Sequence, residues 1–413
     1  MKILLVTRGS QGDIYPYLPL VKELEGRGHE VMLNIPQAFE KFAQQLSISY
    51  TLQGHDDIIA MLEKSPDTKD ILEWTRRVIQ HQFNELPPLL AHYDILVASN
   101  TEFAAPSIAE YCDKPYIRTA YAPLMPSKKI PPPVIPFPKP NPVFRPMFFW
   151  NLLGIGLNYL TLKTLNANRK RLGLELIKDQ TEHAPMHADN LNLYSPTLGE
   201  VDEGWKYKWT QAAYCFNDLL PYNEEVYEKL LEFIRKDDRP ALFFTMGSIT
   251  AEARERICVW LYEICGKYGW KFIVGAGWSG LGKTLHGRGD LFILDHVIPH
   301  KLFLSECAAV IHHGGSGTTH SAARAGIPQM VAPMIIDQFY WAYRTGILGV
   351  GPGSVKIKKI GRNALEAKVA DLMQNPGYKK NAAALGEKIR AENGVKLAAD
   401  YIEEKGAARF AKV

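Results

Sequence analysis

The chain has 413 residues, a length that suggests two to three domains at roughly 150 residues each. With 46% hydrophobic and 22% charged residues, its composition is that of a globular protein and excludes a disordered or fibrous chain. Lysine plus arginine (48) exceed aspartate plus glutamate (44) by only four, so no basic face is expected and no nucleic-acid partner is indicated.

The first half of the sequence alternates strand and helix patterns. Strands are predicted at residues 3–6, 31–35, 95–98 and 116–119, with a helix at 18–25. A βα alternation of this kind indicates a parallel sheet with helices on both of its faces.

A proline-rich segment interrupts this rhythm. Residues 131–146 contain eight prolines, which the interior of neither a strand nor a helix accepts, so we predict an excursion from the sheet followed by a helix over 148–171. The longest apolar stretch, 147–162, is shorter than the ~20 residues that span a bilayer. It is too aromatic for a solvated loop, and it could either pack as core or line a hydrophobic ligand site near a membrane surface.

The second half repeats the βα pattern. Strands are predicted at 241–245, 271–274, 291–294, 309–312 and 329–332, with helices at 253–265 and 318–325. The domain boundary is predicted within 215–240. Two doubly wound α/β domains would leave a cleft at the carboxyl ends of both sheets, where ligands bind in such folds.

The sequence HHGGSGTT at residues 312–319 follows one predicted strand and opens a helix. Small residues at such a turn let backbone N–H groups approach an anion, and the helix N-terminus adds favourable partial charge. This pattern favours a diphosphate site, with candidate ligands His313, Gly315, Ser316, Gly317 and Thr318. A glycine-rich turn with a Ser/Thr N-cap is the structural alternative. The motif is neither a Walker loop nor GxGxxG.

Two further groups of residues lie at predicted strand ends. Asp337 and Gln338 offer an acceptor and a donor suited to the vicinal hydroxyls of a sugar, although a solvated helix cap would use the same pair. The sequence GSQGD at 9–13 follows the first strand, which places Asp13 at the cleft. The structural alternative there is that Asp13 caps a helix starting near 14–16, where Pro16 suits a first turn.

Together these motifs resemble the GT-B glycosyltransferases of the UDP-glycosyltransferase superfamily (family 1). The resemblance is strongest to the bacterial and fungal branch that contains sterol and antibiotic-aglycone glycosyltransferases. That branch has HHGGxGTT followed by a DQ pair, and both are intact here. The loop at 9–13 is similar to its GSRGD or GTRGD loop, with Gln11 replacing the usual arginine. Segments 245–248, 276–278 and 297–300 resemble its FGS, AGW and VPH segments, so the resemblance covers nearly the whole chain.

The resemblance implies a GT-B fold of two Rossmann-like domains. Residues 1–215 would bind the acceptor, residues 216–390 would bind the donor, and a C-terminal helix within 391–413 would cross back onto the first domain. It also implies inverting, metal-independent transfer of a hexose from a UDP- or dTDP-sugar to an acceptor hydroxyl. Plant-type relatives use a histidine of the first loop as the base, and here Asp13 takes that role.

The resemblance also assigns the donor-binding residues. Ser10, Gly12 and Ser248 would approach the phosphates together with the turn at 313–318. Asp337 and Gln338 would hold sugar hydroxyls, while Trp278, Val297 and His300 would border the nucleobase. No metal or other cofactor is expected, because the D-x-D motif of the other large glycosyltransferase fold is absent.

The expected acceptor is a lipophilic or aromatic alcohol such as a sterol, a polyketide or a flavonoid-like phenol. Five dispersed cysteines without CxxC spacing argue against a disulfide framework and favour the cytoplasm, with a peripheral contact at the inner membrane surface left open. Two alternatives also stay open: a sugar-nucleotide epimerase of the same fold, and a non-catalytic nucleotide-sugar-binding subunit.

Overall fold

The computed structural model describes residues 1–54, 67–134, 145–246, 252–276, 280–285, 289–357 and 359–410. The strands are β1 Lys2–Val6, β2 Glu30–Pro36, β3 Tyr50–Gln53, β4 Ile95–Ser99, β5 Tyr116–Ala120, β6 Asp189–Asn192, β7 Trp209–Gln211, β8 Ala241–Thr245, β9 Lys271–Gly275, β10 Leu291–Leu294, β11 Ala309–His312 and β12 Gln329–Val331. The helices are α1 Gln11–Ile14, α2 Tyr17–Gly26, α3 Glu40–Gln45, α4 Thr68–Leu90, α5 Ala105–Tyr111, α6 Pro146–Arg171, α7 Gln180–Met186, α8 Glu224–Arg235, α9 Glu252–Tyr268, α10 His300–Phe303, α11 Ser316–Ala325, α12 Gln338–Ile347, α13 Arg362–Gln374, α14 Pro376–Arg390 and α15 Gly394–Phe410.

These strands form two parallel sheets. The first has the order β3-β2-β1-β4-β5-β6-β7, and the second has the order β10-β9-β8-β11-β12. In each sheet the direction of winding reverses once, between β1 and β4 and between β8 and β11. Such switch points open a crevice at the carboxyl ends of the strands. The predicted fold class, two doubly wound α/β sheets, is therefore confirmed.

The sheets are buried on both faces, as parallel sheets require. In β1, Ile3 and Leu5 belong to one hydrophobic core, whereas Leu4 and Val6 belong to the core on the opposite face. Because side chains alternate along a strand, a continuous apolar run fills both cores. In β8, likewise, Phe244 packs on one side of the second sheet and residues such as Phe243 on the other.

Three strands were not predicted from the sequence. β6 is the instructive case, because its sequence DNLN is polar and yet its last three residues are buried. The side-chain amide of Asn190 donates to the carbonyl oxygens of Pro185 at 2.8 Å and Lys208 at 2.9 Å. Neighbouring backbone groups therefore satisfy the polar side chain, which allows a strand where the hydrophobic pattern indicated none.

Helix α6 follows the proline-rich segment, whose residues 135–144 lie outside the described part of the chain. The helix begins at Pro146, two residues before the predicted start, as suits proline in a first turn. Trp150 is buried and donates to the carbonyl oxygen of Ile130 at 2.8 Å, but Phe148 is 63% exposed. The aromatic segment is therefore part core and part surface. In the described part of the chain, no helix is long and apolar enough to cross a membrane.

The last helix, α15, lies against α2 of the first sheet. The guanidinium of Arg27 donates to Asp400 and Glu403, both at 2.7 Å, and His29 contacts Glu403 at 2.7 Å. At the start of α15, an added Cβ on Gly394 would lie 2.4 Å from the carbonyl oxygen of Ala213, a distance that only glycine tolerates. The domain boundaries at 215/216 and 390/391 stay predictions.

Candidate active site

The loops after β1 and β11 meet across the cleft through Tyr121. Its hydroxyl donates to the carbonyl oxygen of Asp13 at 3.0 Å, and its own carbonyl oxygen accepts from the hydroxyl of Ser316 at 3.2 Å. A second bridge joins the halves, because the backbone N–H of Ser195 donates to Nε2 of His320 at 3.1 Å. The first glycine loop and the HHGG turn therefore lie at one site.

The first loop holds Asp13 in a defined position. Ser10 is the N-cap of α1, and Oδ2 of Asp13 accepts from its backbone N–H at 2.8 Å and its hydroxyl at 3.2 Å. This is a capping box in which Ser10 is the N-cap and Asp13 is the third residue of α1. The structural alternative, with Asp13 as the N-cap of a helix starting near 14–16, is therefore not what the structure has, although the side chain of Asp13 does take part in capping. Gly9 has φ +121°, and an added Cβ would lie 2.4 Å from Oδ2 of Asp13. Gly12 is half-buried beside this pair.

A buried ion pair supports this loop, and the sequence analysis missed it. Nε of Arg8, directly after β1, donates to Oε1 of Glu102 at 3.1 Å, and both side chains are buried. Gln82 also donates to Glu102. A lone glutamate in a loop gave no signal in the sequence. Because Arg8 holds it, Glu102 is an anchor of the loop after β1 rather than a second carboxylate offered to a ligand.

The first histidine of the HHGG turn, His312, holds the turn in place through hydrogen bonds on both of its ring nitrogens. Nδ1 of His312 accepts from the backbone N–H of Gly314 at 3.0 Å, so Nε2 carries the proton and donates to Gln329 at 2.9 Å. Burial lowers the pKa of His312 to about 3. Gly314 has φ +92°, and an added Cβ would lie 2.4 Å from Val331. This glycine is therefore required for the turn.

The second histidine, His313, faces the cleft side of the turn. Its Nδ1 is buried and has no hydrogen-bond partner among the described residues, which is the state expected of a group that awaits a ligand. An added Cβ on Gly315 would lie 2.5 Å from Nε2 of the ring, so the glycine makes room for it. Burial and the charge of Arg254 lower the pKa of His313 to about 4. The ring is therefore neutral at pH 7.

Arg254, in the first turn of α9, is a candidate site residue that the sequence analysis missed. It is only 2% exposed, and its positive charge acts on His313. Arginine is almost never fully buried without a partner or a function. A single arginine on a predicted amphipathic helix gave no sequence signal, because such residues are ordinarily solvated.

The hydroxyls of the turn are placed differently from one another. The hydroxyl of Ser316 donates to the carbonyl oxygen of Tyr121 and so joins the two halves of the chain. The hydroxyl of Thr319 donates to the carbonyl oxygen of Gly315 at 2.9 Å. Thr318 is half-buried at the start of α11. An added Cβ on Gly317 would lie 3.0 Å from the hydroxyl of Tyr214. Because the Ser316 hydroxyl is already bonded, an anion at this turn would meet the backbone N–H groups at the start of α11.

Asp337 and Gln338 lie at the start of α12. Oδ2 of Asp337 accepts from the indole N–H of Trp341 at 3.1 Å. Burial, with a smaller contribution from the charge of Asp13, raises the pKa of Asp337 to about 7. The carbonyl oxygen of the Gln338 side chain accepts from the backbone N–H of Met334 at 2.8 Å. Its NH₂ group is the part that could serve a ligand.

The segment 297–300 lies between the halves of the molecule. Val297 packs against the core of the first sheet, and the ring of His300 contacts Phe243 edge-to-face with centroids 6.1 Å apart. Burial lowers the pKa of His300 to about 4, and the charge of Arg324 acts in the same direction. Two residues assigned to the donor, Ser248 and Trp278, lie outside the described residues.

Within the described ranges, no group of three or more His, Cys, Asp or Glu side chains could hold a metal ion. The sequence does contain an i, i+4 histidine pair of metal-binding type, His183 and His187, whose ring centroids are 4.3 Å apart. A histidine pair of this kind would argue against the expectation that the protein binds no metal, but within the described ranges no third ligand joins the pair.

Comparisons with known proteins agree with this arrangement. A family model, the C-terminal domain of erythromycin biosynthesis protein CIII-like proteins, matches residues 290–401. Glycosyltransferase GtfE of Amycolatopsis orientalis is 31% identical over 368 residues, 85% of each chain. The sterol 3-beta-glucosyltransferase UGT80A2 of Arabidopsis thaliana is 23% identical over an alignment of 412 positions, which covers 96% of this chain and 64% of the plant protein. This chain thus spans less than two thirds of that relative.

Solved structures share the fold. The crystal structure of glycosyltransferase VinC in complex with DTDP superposes with a TM-score of 0.70 at 15% identity, over 99% of this chain and 100% of VinC. At this identity the likeness concerns the fold alone.

Proposed function

The chain belongs to the family 1 glycosyltransferases of GT-B fold, and we propose that it transfers a hexose from a UDP- or dTDP-sugar to a hydroxyl of a lipophilic or aromatic acceptor, with inversion. The observation that carries this proposal is the bridge through Tyr121, which brings Asp13 to the loop that starts α11. UGT80A2 is named for a sterol acceptor, which supports the acceptor class. VinC was crystallised with DTDP, which supports the donor class.

Asp13 would act as the base. A carboxylate with an ordinary pKa near ~3.9 cannot deprotonate an alcohol in advance, so the proton moves to Asp13 while the new glycosidic bond forms. The two hydrogen bonds from Ser10 fix the carboxylate.

The leaving diphosphate gains negative charge as the bond to the anomeric carbon breaks. Backbone N–H groups at the start of α11 and the helix N-terminus would stabilise it as preorganised donors. Because His313 is neutral, it contributes a hydrogen bond rather than a charge. The guanidinium of Arg254 places a positive charge near His313, so the proposal gives Arg254 an electrostatic role and requires no metal.

Asp337 and Gln338 would hold the sugar. A buried carboxyl whose pKa is raised to about 7 is stabilised in its charged form when hydroxyl donors bind it. Sugar hydroxyls placed between Asp337 and Asp13 would supply such donors. The NH₂ group of Gln338 would donate to an adjacent hydroxyl oxygen.

Thermal unfolding with a panel of nucleoside diphosphates and their sugars tests the proposal. A true donor at 100 times its dissociation constant should stabilise the protein by ~2.7 kcal/mol. Mass spectrometry with a phenolic or sterol acceptor should then detect a glycoside, and a chelator should leave the rate unchanged. An epimerised sugar nucleotide without acceptor would instead identify an epimerase. Binding without any product would identify a binding subunit, and loss of activity in chelator would overturn the metal-free mechanism.

The acceptor prediction concerns the first turn of α6. Phe148 is largely exposed and contacts the half-buried Phe149 edge-to-face, with centroids 5.4 Å apart. Replacing both by serine should raise the Michaelis constant for a water-soluble phenolic acceptor and leave donor affinity unchanged, because an apolar wall would be lost. Leu176→Ser, at a similarly exposed leucine, is the control. Acceptors limited to polar sugars, or unfolding of the double variant, would contradict the prediction.

A further inference from the structure

Helix α6 carries an exposed apolar stripe. Phe148, Leu152, Ile155 and Tyr159 are 63%, 55%, 68% and 64% exposed, and their spacing of four, three and four residues places them on one face of the helix. At 1.5 Å per residue the stripe is about 17 Å long. Single exposed apolar residues need no explanation, but an aligned row of four marks an interaction surface.

The opposite side of the helix is fixed to the protein. Asn168 donates to the side chain of Gln80 in α4 at 3.2 Å, and Gly154 is buried beside Thr181 of α7. The helix also packs along α4. The side of the helix opposite the stripe is therefore the side that packs against the protein.

The charges of α6 continue the same face. Lys163 lies four residues after Tyr159, and Lys170 lies seven residues after Lys163. Both lysines are exposed. The helix contains no aspartate or glutamate. Its outer face is thus apolar at the N-terminal end and basic at the C-terminal end. A basic amphipathic face of this kind fits the boundary between the headgroups and acyl chains of anionic lipids.

We propose that this face of α6 docks on an anionic phospholipid membrane surface, with the stripe inserted among the lipid chains and the two lysines on the headgroups. The charge pattern favours lipid over a second copy of the chain. A two-fold pairing of this helix would bring no acidic side chain of α6 to Lys163 or Lys170. The proposal does not rest on the transfer reaction, since docking can be measured without donor or acceptor.

Flotation of the full chain with vesicles of phosphatidylcholine and phosphatidylglycerol in equal parts tests the proposal. The wild type should bind these vesicles and bind pure phosphatidylcholine vesicles less. Ile155→Ser combined with Tyr159→Ser should lower partitioning at least ~10-fold, equivalent to about 1.4 kcal/mol. Each of Lys163→Gln and Lys170→Gln should weaken binding roughly 5-fold on anionic vesicles only. Added salt should weaken the wild type in the same way.

The control is Ile347→Ser, because Ile347 is 54% exposed on α12 and resembles Ile155 in type and exposure. It should bind like the wild type. Equal losses in the control, or no flotation of the wild type, would overturn the proposal. A dimer in analytical ultracentrifugation that Ile155→Ser dissociates would also overturn it, since the face would then join two copies. If Ile155→Ser combined with Tyr159→Ser lowers the thermal unfolding midpoint, the proposal is judged by the vesicle binding of the Lys163→Gln and Lys170→Gln variants alone.

Discussion

Replacing Asp13 by asparagine is expected to lower turnover by at least ~10²-fold, because a general base typically contributes ~10²–10⁴. The asparagine oxygen can still accept the backbone N–H of Ser10, now 2.8 Å from Oδ2, so the loop should keep its shape. Donor affinity should therefore change little. Steady-state kinetics with saturating donor would measure the turnover, and calorimetry would measure the donor affinity.

The result has a clear interpretation only if the fold is intact, so the thermal unfolding midpoint of the variant should match that of the wild type. If the variant turns over like the wild type, Asp13 has no part in the chemistry.

The second large effect is expected at the two loops that are proposed to hold the donor. His313→Ala should weaken binding of the nucleoside diphosphate and of the intact sugar nucleotide alike. Asp337→Ala should chiefly weaken the intact sugar nucleotide, because Asp337 is assigned to the sugar. Losing a hydrogen bond to a charged group costs ~1.5–3 kcal/mol. Titration calorimetry of each variant with both ligands measures the two losses separately.

A matched control for the histidine is His92→Ala, because His92 is exposed on the first half of the chain. It should bind both ligands like the wild type. Equal losses for His313→Ala and Asp337→Ala with both ligands would contradict the separate roles assigned to the two residues.

The features that could be predicted from the sequence depend on residues close together in the chain. The features that were missed depend on contacts between residues far apart in the sequence. The strand β1 and the turn at 312–319 could be predicted because their signals lie within a few consecutive residues. By contrast, the burial of Arg254 and Glu102 follows from packing between segments far apart in sequence. Because charged residues are mostly exposed in proteins, a charged residue in the sequence predicts a solvated side chain. The strand β6 was missed for the same reason, since the carbonyl groups that satisfy Asn190 come partly from a neighbouring segment.

The site shows the same division. The residue types at 313–318 and 337–338 indicated an anion and a sugar, but not which atoms remain available. Only the structure shows that the Ser316 hydroxyl is already bonded to Tyr121 and that the Gln338 carbonyl oxygen is bonded to Met334. Which donors are left for a ligand is a property of the folded chain.

The close contact between Gly394 and Ala213 has a mechanical meaning. Gly394 opens the helix that returns to the first sheet, and Ala213 lies on the segment that leaves this sheet, so the two connections between the sheets touch at this point. A larger side chain at Gly394 would therefore displace both connections together.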